Sequence, residues 1–154
     1  MGGFNAYLAW ARAPQLFDAI ALTCPAFFPA SPFASRLVLQ RQAQRMADNA
    51  RERTVAEARG ILETLYPILR SQFKTADAWE RHQPKAMVKT LAGVRPPPLY
   101  VSYNRKDMFA PGHGAELGQA GYDVTYEMRD GGHCQDSITP GLAEFLATKT
   151  APRR

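Results

Sequence analysis

Leu99-Tyr-Val-Ser-Tyr103-Asn-Arg-Lys-Asp107 is a run of aromatic and branched side chains that ends abruptly in charge. Bounded upstream by the punctuation of Gly93 to Pro98, it reads as a strand, with Asp107 closing its carboxyl end. Working outward, Tyr122-Asp-Val-Thr-Tyr-Glu-Met128 alternates in the manner of a further strand and leads into Gly131-Gly132-His133. Between the two lies a helical pattern from Gly112 to Ala120, with a glycine-marked end at Gly121. On the amino-terminal side, Phe17-Asp-Ala-Ile-Ala-Leu-Thr-Cys24 is short, mostly apolar and without helical spacing, and Pro25 stops it. A run of that kind fits a strand buried on both faces, which points to a parallel sheet. The alternation of strand and helix gives an α/β fold of about three parallel strands with flanking helices.

The remaining segments are helical. Residues 1–14 read as a helix with Ala6, Ala9, Trp10 and Ala13 on one face and Pro14 at its end. Residues 29–35 are turn-rich; beyond them Leu37, Met46 and Ala50 lie among arginines and glutamines. Thr54-Val-Ala-Glu57 has the spacing of a capping box and opens a helix whose stripe is Val55, Ala58, Leu62, Leu65, Leu69 and Phe73, with Pro67 expected to kink or break it. A weaker pattern from Asp77 to Leu91 is interrupted by Pro84, and a short last helix is expected from Leu142 to Thr148. Residues 1–28 and 96–154 are therefore expected to form the sheet core, with residues 29–95 a helical insertion between two of its strands.

With 154 residues, 45% of them apolar, the chain can bury one domain's core. Its 19 basic and 14 acidic residues leave +5, spread along the chain without a nucleic-acid recognition motif, so the excess reads as solvated helix surface and no nucleic-acid partner is expected. Cys24 and Cys134 match no metal spacing and suit a reducing, cytoplasmic setting, although a disulfide between them stays open. No stretch approaches the roughly 20 apolar residues of a membrane span, and no basic region of a secretory signal opens the chain.

Functional groups of open α/β sheets collect at the carboxyl ends of strands. Asp107 and His133 both follow strands and land on that rim. A carboxylate can hold an imidazole in one tautomer and stabilise its protonated form, freeing the other ring nitrogen to act as general base toward a hydroxyl. Singly, Asp107 could cap a turn and His133 could be a surface histidine; the pairing is what suggests chemistry. Cys134, adjacent to His133, and Cys24, past a strand end, read as packing thiols, and Ser102, Ser137, His82 and His113 lack the surroundings of a nucleophile or a metal ligand. Phe27, Phe28 and Trp79 could line an apolar pocket or belong to the core.

Met1-Gly2-Gly3 followed by a helix looks like the end of a Gly-x-Ser-Met-Gly-Gly nucleophile elbow, the strand-to-helix turn of α/β-hydrolases. The acid turn Tyr103-Asn-Arg-Lys-Asp-Met-Phe-Ala-Pro111 and the Gly131-Gly132-His133 loop are similar to two further motifs of that superfamily, in the same order along the chain. The whole chain thus resembles the carboxyl-terminal portion of a serine esterase, starting one residue after the nucleophile.

The resemblance implies a partial α/β-hydrolase fold and hydrolysis of small-molecule esters or related acyl bonds through Ser, Asp107 and His133, with no metal and no organic cofactor. It implies that the backbone N–H of Met1 belongs to the oxyanion hole. With no serine to activate, the chain alone is expected to be inactive, and its apolar sheet edge is expected to self-associate or to accept a complementing amino-terminal segment. A non-catalytic ligand-binding or interaction module is the rival expectation.

Overall fold

The computed structural model describes residues 2–28, 30–50, 53–83, 86–87, 96–109, 117–132 and 139–149. Three strands, β1 (Ile20–Thr23), β2 (Leu99–Asn104) and β3 (Val124–Arg129), form one parallel sheet in the order β1-β2-β3. Ile20 pairs with Leu99, and Leu99 with Val124. The central strand β2 is buried along its whole length, which is why its sequence shows no apolar–polar alternation. Its side chains nonetheless divide between two layers. Leu99, Val101 and Tyr103 join the core formed with helix α1 (Gly2–Arg12), whereas Tyr100 packs against Phe145 of the last helix, α5 (Pro140–Lys149).

The face of α1 turned to the sheet is Phe4, Tyr7, Leu8 and Trp10, while Ala6 and Ala9 are exposed. Aromatic bulk, rather than the small residues that sequence spacing groups together, therefore sets the buried side. Gly3 lies where the helix crosses the end of β1, and a Cβ there would come within 2.9 Å of the Pro25 Cα and Cβ. The first strand begins at Ile20 rather than Phe17. Pro14–Leu16 forms a 3-10 turn with proline at its first position, and Leu16 and Phe17 stay exposed beyond it.

Between β1 and β2 stand α2 (Arg36–Ala50), α3 (Val55–Phe73) and α4 (Ala76–Arg81). The capping box of α3 is present in full. The Glu57 N–H donates to Thr54 Oγ1 at 3.2 Å. In return the Thr54 N–H donates to Glu57 Oε2 at 2.7 Å. The Thr54 backbone N–H, foremost, holds the Glu57 carboxyl below the usual range. Ala58, Leu62, Tyr66, Leu69 and Phe73 form the buried stripe, with Val55 exposed. Of the two outcomes expected at Pro67, a kink or a break, the break does not occur: α3 runs on through it. The proline sits on the exposed side, where the carbonyl left without its donor can turn to water. Helix α4 ends at Arg81, well short of Leu91, with His82 as its cap; positions 84–85 and 88–95 lie outside the described residues.

Two helix ends show the cost of chirality. At residues 117–122 the Tyr122 N–H reaches the Leu117 carbonyl and the Gly121 N–H the Gly118 carbonyl, a Schellman motif closed by Gly121 at φ 101°. At the end of α3, Lys74 instead adopts φ 63° with a negative ψ. The Thr75 N–H there bonds the Phe73 carbonyl at 2.7 Å, which makes a strained γ-turn on an exposed lysine. Lys74→Gly is expected to stabilise the fold by about 0.5–1 kcal/mol, the relief of left-handed strain outweighing the entropy glycine adds to the unfolded chain. Urea denaturation measures this, and an unchanged or lower midpoint would refute it.

Candidate active site

Asp107 sits where the sheet's carboxyl edge turns. Its N–H closes a turn onto the Asn104 carbonyl at 2.9 Å, and its Oδ1 accepts the Phe109 N–H at 2.9 Å, so the carboxylate organises the turn it stands on. The residue is fully buried. This turn is stitched to the chain leaving β3. The Arg105 N–H donates to the Arg129 carbonyl, the Lys106 N–H to the Gly131 carbonyl at 3.1 Å, and the Asn104 side-chain amide to the Gly132 carbonyl. An exposed ion pair between Arg105 and Asp130 at 3.0 Å adds little in water.

His133, Cys134 and Ser137 fall outside the described residues, as does Met1. The peptide leading into His133 does not: Gly131 has φ 126°, a conformation open to glycine and costly for other residues. Past that stretch, Thr139 caps α5, its Oγ1 accepting the Leu142 N–H at 2.9 Å. The Thr139 hydroxyl also meets Glu127 Oε2 at 3.0 Å, and Tyr100 bonds the same oxygen. Burial, then the Glu127 carboxylate, push the Tyr100 phenol above its ordinary pKa, which keeps it a donor.

Phe28 is brought close to this turn: its ring stands 5.3 Å, edge on, from Phe109, two residues past Asp107. Its other neighbour is Tyr66 of α3, at 5.9 Å. Tyr66 in turn lines a groove of about 320 Å³ between α2 and α3, with Leu39, Leu62 and Pro67 beneath Arg36 and Arg70. Burial pushes the Tyr66 phenol up to about 12. Phe27 packs instead on Phe4 and Tyr7, and Trp79 on Phe4 and Phe73, both within the core cluster. Cys24 is buried at the end of β1 with φ 44°. Among the described residues no group of three His, Cys, Asp or Glu side chains could hold a metal ion, and no helix is long and apolar enough to cross a membrane.

The parallel sheet, its flanking helices and the acid-bearing turn after the central strand have the form of part of an α/β-hydrolase fold. Among solved structures the chain is similar to brefeldin A esterase, a bacterial homologue of human hormone-sensitive lipase, with a TM-score of 0.59 at 16% identity. The match covers 97% of this chain and 41% of that enzyme, so the chain spans about two-fifths of its length. No protein-family profile and no curated protein matches the chain.

Proposed function

We propose that this chain carries the acid and base of a serine-hydrolase triad, Asp107 and His133, for cleavage of small-molecule carboxylic esters or related acyl bonds, the serine lying outside these 154 residues. His133 takes the proton from the serine hydroxyl as it attacks the acyl carbon and returns it to the leaving group, while Asp107 holds the ring and offsets its charge. Backbone N–H groups, that of Met1 among them, receive the oxyanion. Phe28 and the neighbouring aromatic residues, with the helical region between β1 and β2 acting as a cap, shape the acyl side.

The observation that carries this reading is the buried Asp107 turn bonded to Gly131, with Asn104 bonded to Gly132, directly ahead of a histidine. None of the described serines stands where a nucleophile elbow would put it: Ser102 is buried within β2, Ser71 lies on α3, and Ser31 and Ser35 lie in the long connection from β1 to α2 rather than on a tight turn.

One observation favours the second reading, a non-catalytic interaction module. In β1 the Ile20 and Cys24 N–H groups point to β2, so the peptide groups of Ala21 and Thr23 face away from it, at an edge without charge or proline. A strand from another chain could pair there. The same edge would also receive a segment supplying the serine, so association alone does not separate the readings. Joining a segment ending in Gly-x-Ser ahead of Met1 does. The joined chain is expected to hydrolyse p-nitrophenyl esters and to lose that activity with His133→Ala; a folded but inert product would leave only the interaction module.

A further inference from the structure

We propose that the groove between α2 and α3 is a binding site for an amphipathic organic carboxylate, of the kind a medium-chain alkanoate represents. The site stands apart from the Asp107 turn and does not depend on the acid–base reading above. Tyr66 lines the groove, Phe28 packs on Tyr66 at 5.9 Å, and Phe109 packs on Phe28 at 5.3 Å. Tyr66 and Phe28 are both buried, so this row of rings walls the groove off from the carboxylate of Asp107.

Helical spacing gives the groove two unlike ends. Arg59, Glu63, Tyr66 and Arg70 recur every three or four residues and so share one stripe of α3. Only residues 51–54 separate α2 from α3, so the two helices pack antiparallel and the first turn of α2 comes level with the last turns of α3. The hydrogen bond from Arg70 Nε to the Pro32 carbonyl, at 2.6 Å and just ahead of α2, fixes that register. Arg36 and Arg70 therefore flank the same end. Toward the other, about 16 Å back along α3, Arg59 is neutralised by Glu63 at 2.6 Å. Leu39, Leu62 and Pro67 supply apolar surface between them. A cationic end, an apolar middle and a neutral far end match a carboxylate that carries a hydrocarbon tail. The cations are also available. Among the described residues no hydrogen bond or ion pair engages the Arg36 guanidinium, and Arg70 commits only its Nε, so both keep the paired Nη hydrogens that suit the two oxygens of a carboxylate. The bond to Pro32 orders Arg70 beforehand, which lowers the entropy lost on binding. At about 320 Å³ the groove lies at the small end of ligand sites, which suits a single short chain.

Titration of the 154-residue chain with octanoate, followed by backbone amide NMR, tests this. Saturable shifts are expected at residues of α2 and α3 that line the groove, with the Phe109 amide unmoved. Octanol, which has the tail without the charge, and acetate, which has the charge without the tail, are each expected to bind about tenfold more weakly or worse. Arg36→Gln is expected to raise the octanoate Kd about fivefold, whereas Arg41→Gln, on α2 but outside the groove, leaves it unchanged. Both arginines are exposed, so neither variant endangers the fold. Octanol binding as tightly as octanoate, or an unaltered Kd in Arg36→Gln, would reduce the groove to an apolar surface and overturn the proposal. Acetate or inorganic phosphate binding as tightly would make it a simple anion site and overturn it equally. Shifts centred on Phe109 would put the ligand at the Asp107 turn, which removes the groove site and leaves the acid–base reading to its own test. Failure to saturate by about 10 mM octanoate also overturns the proposal.

Discussion

In the chain joined to a segment ending in Gly-x-Ser, Asp107→Asn is expected to lower kcat for p-nitrophenyl acetate by about ten-thousand-fold with KM little changed. The variant is chosen because the turn should survive it. Asparagine keeps an oxygen at Oδ1, so the Phe109 N–H retains its acceptor, and the Asp107 N–H still closes onto Asn104. What changes is the second carboxylate oxygen, which becomes an NH2 group. An imidazole facing a donor presents its acceptor nitrogen inward and its N–H toward the serine, the wrong way round for a general base, and the negative charge that would stabilise imidazolium is gone. Folding and chemistry thereby separate. Asp107→Ala, by contrast, would also release the Phe109 N–H beside the buried Asp107 position and confuse the two effects. A kcat within about tenfold of the parent for a folded Asp107→Asn enzyme would remove Asp107 from the triad.

Local chemistry made much of this architecture legible in advance. The capping box at Thr54–Glu57 and the glycine stop at Gly121 are requirements of a few adjacent residues, and each appears where the residue types demand it. β2 was readable because a strand covered on both sides has to be apolar almost throughout. Features fixed by distant partners were not readable. Nothing near Asn104 marks it as a donor to Gly132, 28 positions away, and the buried face of α1 depends on Tyr122 and Phe27, which Tyr7 meets only after folding. At Pro67 the converse holds: a local rule allowed a kink or a break, and the packing of Leu62, Tyr66 and Leu69 holds the helix together across it, so no break occurs.

Trp79→Ala is expected to remove about 3–5 kcal/mol of stability, a large share of the roughly 5–15 kcal/mol that holds a domain of this kind together. The indole is 1% exposed and lies 5.1 Å from the Phe73 ring and 6.0 Å from the Phe4 ring. Phe73 ends α3 and Phe4 belongs to α1, so this one side chain joins α4 and the end of α3 to the helix covering the sheet. Phe4 passes the contact on to Phe27 beyond β1, at 5.9 Å. Truncation would leave a cavity at a point where three elements converge and none can collapse inward without moving the others. Trp79→Phe should cost far less, since it keeps an aromatic ring among Phe4 and Phe73. The comparison also decides between the two roles open to this residue. A tryptophan lining a substrate pocket has one face toward solvent or ligand, so its loss would raise KM in the joined chain and hardly shift the urea midpoint. A tryptophan enclosed on all sides does the reverse, and a destabilisation below about 1 kcal/mol for Trp79→Ala would show that the helical region between β1 and β2 is not anchored to α1 through this ring.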